Sequence, residues 1–223
     1  MTKSKGNSKV KTKPNEDELI ALYMDFVLEN EKTPKSVFKF SKDNNITEQE
    51  FYQFFGSFDG LRRAIWNKFF DNAISVMEQS KEYAKFSNRE KLLTFFYTFF
   101  EVLTANRSYV LYALNENSTP LKNLEQLKGL RSRIKDYGKS LIAAENQEKS
   151  LKLLGKNEML FSEGLWVQFL FLLKFWMDDN SAGFESTDVA IEKSINTIFD
   201  VFDNTPLERI VDLGKFLWKE RTK

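Results

Sequence analysis

TPKSVFKFSKDNNITEQEFYQFFGSFDGLRRAIW, residues Thr33 to Trp66, decides how this chain is read. Thr33 suits an N-cap and Pro34 the first helical position, where a missing N–H costs nothing. The pattern therefore predicts a helix from residue 34 that carries Val37, Phe38 and Ser41 round one side. The polar run Asp43-Asn44-Asn45 ends it. Thr47 caps a second helix, and Glu50, three residues on, is placed to reach back to the Thr47 backbone N–H in a capping box. Ile46 is placed to pack on Phe51 as a hydrophobic staple. This helix is predicted to run to Phe55. Gly56 stops it, and Ser57 with Asp59 opens the next one through Leu61, Ile65 and Trp66. Two short helices on a tight polar turn, followed by a third, are the layout of a helix-turn-helix.

Outward from this stretch the apolar spacing stays helical. Leu19, Leu22, Tyr23, Phe26 and Val27 form one stripe, and Ser87 with Glu90 caps a helix carrying Leu92, Phe96, Phe99 and Leu103. Thr119-Pro120 and Thr205-Pro206 repeat the N-cap and N1 pattern, with Glu208 completing a capping box at the second. No segment alternates as a strand does. The expected fold is all-α, with about nine or ten helices near 16–30, 34–43, 47–55, 58–80, 88–105, 107–116, 120–145, 157–178, 187–203 and 206–220. The first three helices and the start of the fourth are too small to bury much core alone, so they are expected to dock on the body behind them.

Composition narrows the function. The 223 residues, 42% hydrophobic, suffice for a substantial core. The absence of cysteine removes disulfides and thiolate metal sites and fits a reducing cytoplasm. The absence of histidine removes the commonest general base and the triad base. No enzyme, cofactor or metal site is expected, and the adjacent acids Asp178-Asp179 read as a solvated turn. Leu165 to Met177 is the longest apolar run, but Gln168 and Lys174 interrupt it. The N-terminus is lysine-rich without an apolar stretch behind it, so no membrane span or signal peptide is expected.

Asn45 to Leu61, NITEQEFYQFFGSFDGL, resembles the signature segment of TetR-family transcriptional regulators. In that family a Gly-Val-Ser-like turn precedes a recognition helix ending in Leu-Tyr-x-x-Phe. A small residue, Ser, Lys and an acidic residue then lead to a Leu. Here Phe51-Tyr52-Gln53-Phe54-Phe55 is followed by Gly56-Ser57-Phe58-Asp59-Gly60-Leu61. Phe58 stands where the family has Lys beside the DNA backbone, so the resemblance implies that one interaction with phosphate is missing or supplied by another residue. The close match covers residues 33 to 66, and the rest matches in length and helical layout. The lysines of residues 1–14 mark a disordered basic arm, and the resemblance implies a helix-turn-helix domain at 15–66 and a helical ligand-binding and dimerisation domain at 67–223. It further implies a cytoplasmic homodimeric repressor, bound to double-stranded operator DNA and released by a small, mostly apolar effector. The alternative is a ligand- or partner-binding protein on the same fold that does not bind DNA.

In a helix-turn-helix the second helix lies in the major groove, so Thr47, Glu48, Gln49, Tyr52 and Gln53 are the candidate contacts. Gln49 and Gln53 each suit adenine N6 and N7, Glu48 suits cytosine N4, and Tyr52 suits a phosphate. Lys35, Ser36 and Lys39 are expected over the backbone. Charge opposes this reading: residues 15–60 hold ten acids and four lysines, a balance of −6, on a face that should be basic. The arm holds five lysines and no acid, and together with Arg62, Arg63 and Lys68 it must offset that balance. Binding is expected to be weak or strongly salt-dependent.

The aromatics of the body exceed what single helix faces bury, which leaves two sinks, a ligand cavity between helices and a dimer interface, and the TetR resemblance implies both. The expected pocket comprises Phe96, Phe99, Leu103, Tyr112 and Trp166, with Gln168 as its polar group and Gly164 allowing a close approach. Helices 157–178 and 187–203 are expected to pair across a two-fold, with Phe169, Phe175, Ile195, Phe199 and Phe202 along the seam.

Overall fold

Side-chain caps fix several helix starts in the computed structural model, which describes residues 13–148 and 158–204 and contains ten α-helices and no strand among them. Asn15 opens α1 (Glu16–Asn30): its Oδ1 accepts from Glu18 N at 2.8 Å, and Glu18 Oε2 accepts from Asn15 N at 2.9 Å. Next come α2 (Val37–Asp43), α3 (Glu48–Tyr52) and α4 (Phe58–Glu78). The Ser87–Glu90 capping box starts α5 (Asn88–Ala105), as its sequence spacing implies. Then follow α6 (Arg107–Asn115), α7 (Pro120–Leu124), α8 (Lys128–Glu148), α9 (Glu158–Asp178) and α10 (Glu185–Asn204). The expected helix 206–220, with its Thr205-Pro206 and Glu208 cap, and residues 1–12 of the basic arm lie outside the described residues.

Two helix boundaries differ from expectation for identifiable reasons. α2 begins three residues late because Ser36 is its cap, its Oγ accepting from Lys39 N at 3.1 Å. The Thr33 hydroxyl instead donates to Glu116 Oε1 at 3.1 Å, and Pro34 is buried ahead of the helix. The expected helix 120–145 is broken into α7 and α8 by a 3₁₀ turn, Glu125–Leu127. Gln126 holds that turn: it is buried and its Nε2 donates to the carbonyls of Ala113 and Asn123 at 2.8 and 2.9 Å. These bonds fix a backbone that helix propensity alone would continue.

The chain divides into two compact units, Met1–Ile65 with Ser108–Gln126, and Trp66–Arg107 with Leu127–Lys223. The first is organised on aromatic rings. Leu19, Tyr23 and Val27 of α1, Phe40 of α2, Phe51 of α3, and Leu61 and Ile65 of α4 are all fully buried. Removing each of the aliphatic and phenylalanine side chains among them from water stabilises the unit by about 1.5–3 kcal/mol before the entropic cost of ordering it.

In the second unit α9 packs on α8 and α10, and α10 packs on α5. Gly138 permits the α8–α9 approach, since a Cβ there would lie 2.7 Å from Leu165 Cδ2. Helix α9 is long and apolar enough to cross a membrane by length and composition. Its Phe161, Leu165, Phe169, Leu172, Leu173 and Trp176 are nevertheless buried in the unit's own core. Arg107 closes its end, donating to the carbonyls of Trp176 and Met177 at 3.0 and 3.1 Å while its guanidinium lies 4.4 Å from the Trp176 ring centroid. Asp179 is a correction. It is buried rather than solvated, and accepts from Ser181 N and Oγ and from Thr187 N and Oγ1 at 2.6–2.9 Å, which secures the entry to α10.

Candidate nucleic-acid interface

The turn between α2 and α3 depends on one backbone angle. Asn45 sits at φ 55°, in the left-handed region, and occupies the position that a glycine fills in a Gly-Val-Ser-like turn. Asn tolerates this conformation better than other residues with a Cβ because its short polar side chain interacts locally. Ile46 N then donates to Ser41 O at 2.9 Å, closing the turn. Thr47 and Glu50 form the expected capping box: Glu50 Oε2 accepts from Thr47 N at 2.7 Å, and Thr47 Oγ1 accepts from Glu50 N at 3.2 Å. The hydroxyls of Ser36 and Thr47 are thus engaged in fixing two helix starts. Helix α3 is shorter than the sequence suggests, ending at Tyr52, with turns carrying the chain to the buried Phe55.

The segment leaves Lys35, Ser36, Lys39, Thr47, Gln49, Tyr52 and Gln53 exposed and Glu48 half-buried, so all eight expected contacts reach one local stretch of surface chain. Phe38 and Phe54 are exposed there too, at 61% and 43%. Phe58 is turned the other way. Its ring lies 5.5 Å from Tyr23, 5.6 Å from Phe40 and 5.4 Å from Phe51, so the half-buried residue replacing the family's Lys packs on the core of the first unit.

Arg62 is not free to offset acidic charge. Its Nη1 donates to Glu116 Oε2 and its Nη2 to Asp59 Oδ1, both at 2.5 Å, with Arg62 and Glu116 only 22% and 17% exposed. Since Glu116 also accepts from Thr33, the network ties the chain before α2 to α4 and to the end of α6. The Tyr23 hydroxyl is buried without a hydrogen-bond partner, and burial raises its pKa above the ordinary tyrosine range against the opposing effect of Arg62. Nothing in the local sequence around Glu116 announces this pairing, which joins residues far apart in the chain.

In the second unit Phe96, Phe99 and Leu103 are fully buried, and Trp166 is nearly so. Phe99 stacks on Phe95 at 5.6 Å and meets Phe169 at 5.7 Å. Gln168 is half-buried: its Nε2 donates to Ser194 Oγ at 2.9 Å, while its Oε1 is buried without a partner. Tyr112 belongs to the first unit, where burial and then Glu116 raise its pKa. The close approach expected at Gly164 is made by Ile198 and Phe202 of α10, 3.7 Å from where a Cβ would stand.

Of the residues expected along a dimer seam, Phe169, Ile195 and Phe199 are buried within the protomer, and half-buried Phe202 packs on Phe161 at 5.0 Å. Phe175 is exposed, and with Val167 and Phe171 it forms a stripe at four-residue spacing on α9, exposed by 37%, 64% and 58%. That i, i+4, i+8 spacing was the available signal for an outer apolar face.

Residues 91–217 match the family described as Tetracyclin repressor-like, C-terminal domain. The chain belongs to the TetR family. Among curated proteins, none matches it. The TetR match begins within α5, so it covers the helical body, while the character of α1–α4 rests on their own geometry. The all-α architecture agrees with the TetR assignment. Among the described residues no cluster of acidic side chains is arranged to hold a metal ion.

Proposed function

We propose that this TetR-family chain is a one-component transcriptional repressor. It acts in the cytoplasm as a homodimer on operator DNA and leaves it when a small, mostly apolar effector binds. The observation that carries this reading is the capped α2–turn–α3 segment, with Asn45 holding the turn and Lys35, Lys39, Gln49, Tyr52 and Gln53 on the surface. In the complex α3 lies in the major groove. Gln49 and Gln53 pair with adenine edges, Glu48 accepts from cytosine N4, and Tyr52, Lys35 and Lys39 meet phosphates. Ser36 and Thr47 contribute by fixing the helix starts. The protein acts by binding and uses no catalytic group.

Two protomers pair through α9 and α10, with Val167, Phe171 and Phe175 as the seam in place of the buried Phe169, Ile195 and Phe199. Two-fold pairing presents two α3 helices to half-sites roughly 34 Å apart. The effector enters the second unit, where Phe96, Phe99, Leu103 and Trp166 supply an apolar wall and the unsatisfied Gln168 Oε1 awaits a donor. Tyr112, the remaining expected pocket residue, lies in the first unit. Effector and operator then weaken each other's binding by the same factor.

Selection of genomic fragments by the purified protein at low and moderate salt tests this reading. It predicts recovery of a shared pseudopalindrome that is lost as salt rises. A second reading, a helical partner-binding protein without DNA affinity, is favoured by the −6 balance of residues 15–60, the engaged Arg62 and the exposed Phe38 and Phe54. Failure to retain any fragment at low salt would select it.

A further inference from the structure

Within the first unit a cavity of about 280 Å³ lies against the first turns of α4, the chain after α6, and α7. Its wall is charged and amide-bearing throughout, the wrong lining for an apolar effector. Part of that wall is already fixed. Arg62 is held by Asp59 and Glu116. Asn117 N and Nδ2 both donate to Asn123 Oδ1 at 2.9 Å, and Asn123 Nδ2 returns a bond to Asn117 O at 2.8 Å. Gln126 is buried and bonded to two carbonyls. These groups are held in place by their own bonds.

Three charged residues of the lining remain uncommitted. Arg63, Lys122 and Glu125 are exposed and have no ion pair among the described residues. The uncommitted set is two cations and one anion, and its complement is a molecule with two anionic groups and one cationic group. We propose that this cavity binds a free acidic amino acid, with its two carboxylates on Arg63 and Lys122 and its ammonium on Glu125. Arg63 offers a carboxylate the planar, two-pronged donor set that makes such pairs geometrically selective, and Lys122 acts as a point charge. An occupant of this kind ties α4 to the chain following α6 and so stabilises the unit. The proposal is independent of whether α3 reads DNA.

Calorimetric titration of the full chain with L-glutamate and L-aspartate, alongside glutarate and L-glutamine, tests it. One of the two acidic amino acids should bind. Glutarate, which lacks the ammonium, and L-glutamine, which lacks the second carboxylate, should each bind at least about tenfold more weakly. Arg63→Gln, Lys122→Gln and Glu125→Gln lie at exposed positions, and each should weaken binding at least about tenfold while leaving the circular dichroism spectrum unchanged. Absence of heat and of a thermal shift with both acidic amino acids at millimolar concentration would overturn the proposal. So would binding that all three substitutions leave intact.

Discussion

Asn45 and Phe58 each hold a strained or unusual local solution in the first unit. At φ 55° a β-branched side chain is disfavoured, so Asn45→Val should destabilise the protein by about 1–2 kcal/mol, whereas Asn45→Gly should leave it unchanged or slightly stabilised. Urea denaturation of the three proteins checks this. Phe58→Lys restores the residue common in the family, yet it removes a ring that packs against Tyr23, Phe40 and Phe51. The expected loss is about 2 kcal/mol, read as a lower urea midpoint. The sequence revealed that Phe58 departs from the family pattern but not where its ring goes, because only the neighbouring rings of α1, α2 and α3 make an inward rotamer favourable. The same limit applied to Arg62, whose partner Glu116 lies 54 residues away.

At the scale of elements, local chemistry was legible and tertiary choice was not. The Thr47–Glu50 and Ser87–Glu90 capping boxes follow from side chains three residues apart, and both formed as their spacing implies. The start of α2 went to Ser36 over Thr33 because Thr33 found Glu116, and the break before α8 came from the buried Gln126. Aromatics on α9 could be assigned to a helix, but whether a given ring faced inward or outward depended on neighbours. Phe169 went to the core and Phe171 to the surface. Phe171→Glu should therefore leave the fold intact and shift sedimentation velocity from dimer to monomer, whereas Phe169→Ala should lower the melting temperature.

The entry to α10 gives a pH-dependent signature. Hydrogen bonds from Thr187 and then Ser181 hold the Asp179 carboxyl at about 2, below its ordinary value of 3.8. A depressed folded-state pKa contributes stability above the unfolded value, and that contribution is lost as pH falls through the folded one. Thermal melts between about pH 4 and pH 2 should show this loss in the native sequence and a shallower decline in Asp179→Asn.

For the whole molecule, the family assignment rests on the helical body, while the proposed activity depends on a short acidic module at the other end of the chain. Net charge cannot hold such a module on DNA, so position-specific contacts from α3 must carry sequence reading, and lysines must carry the general attraction. Binding of a selected operator fragment and its single-base variants by Gln49→Ala, Gln53→Ala and Lys35→Ala is the most direct measurement. The account predicts that each glutamine substitution costs about 1–3 kcal/mol and relaxes preference at one position of each half-site. Lys35→Ala should weaken all fragments alike and make the salt slope shallower by about 2 per dimer. Equal binding of every fragment by all four proteins, or no binding at low salt, would contradict it.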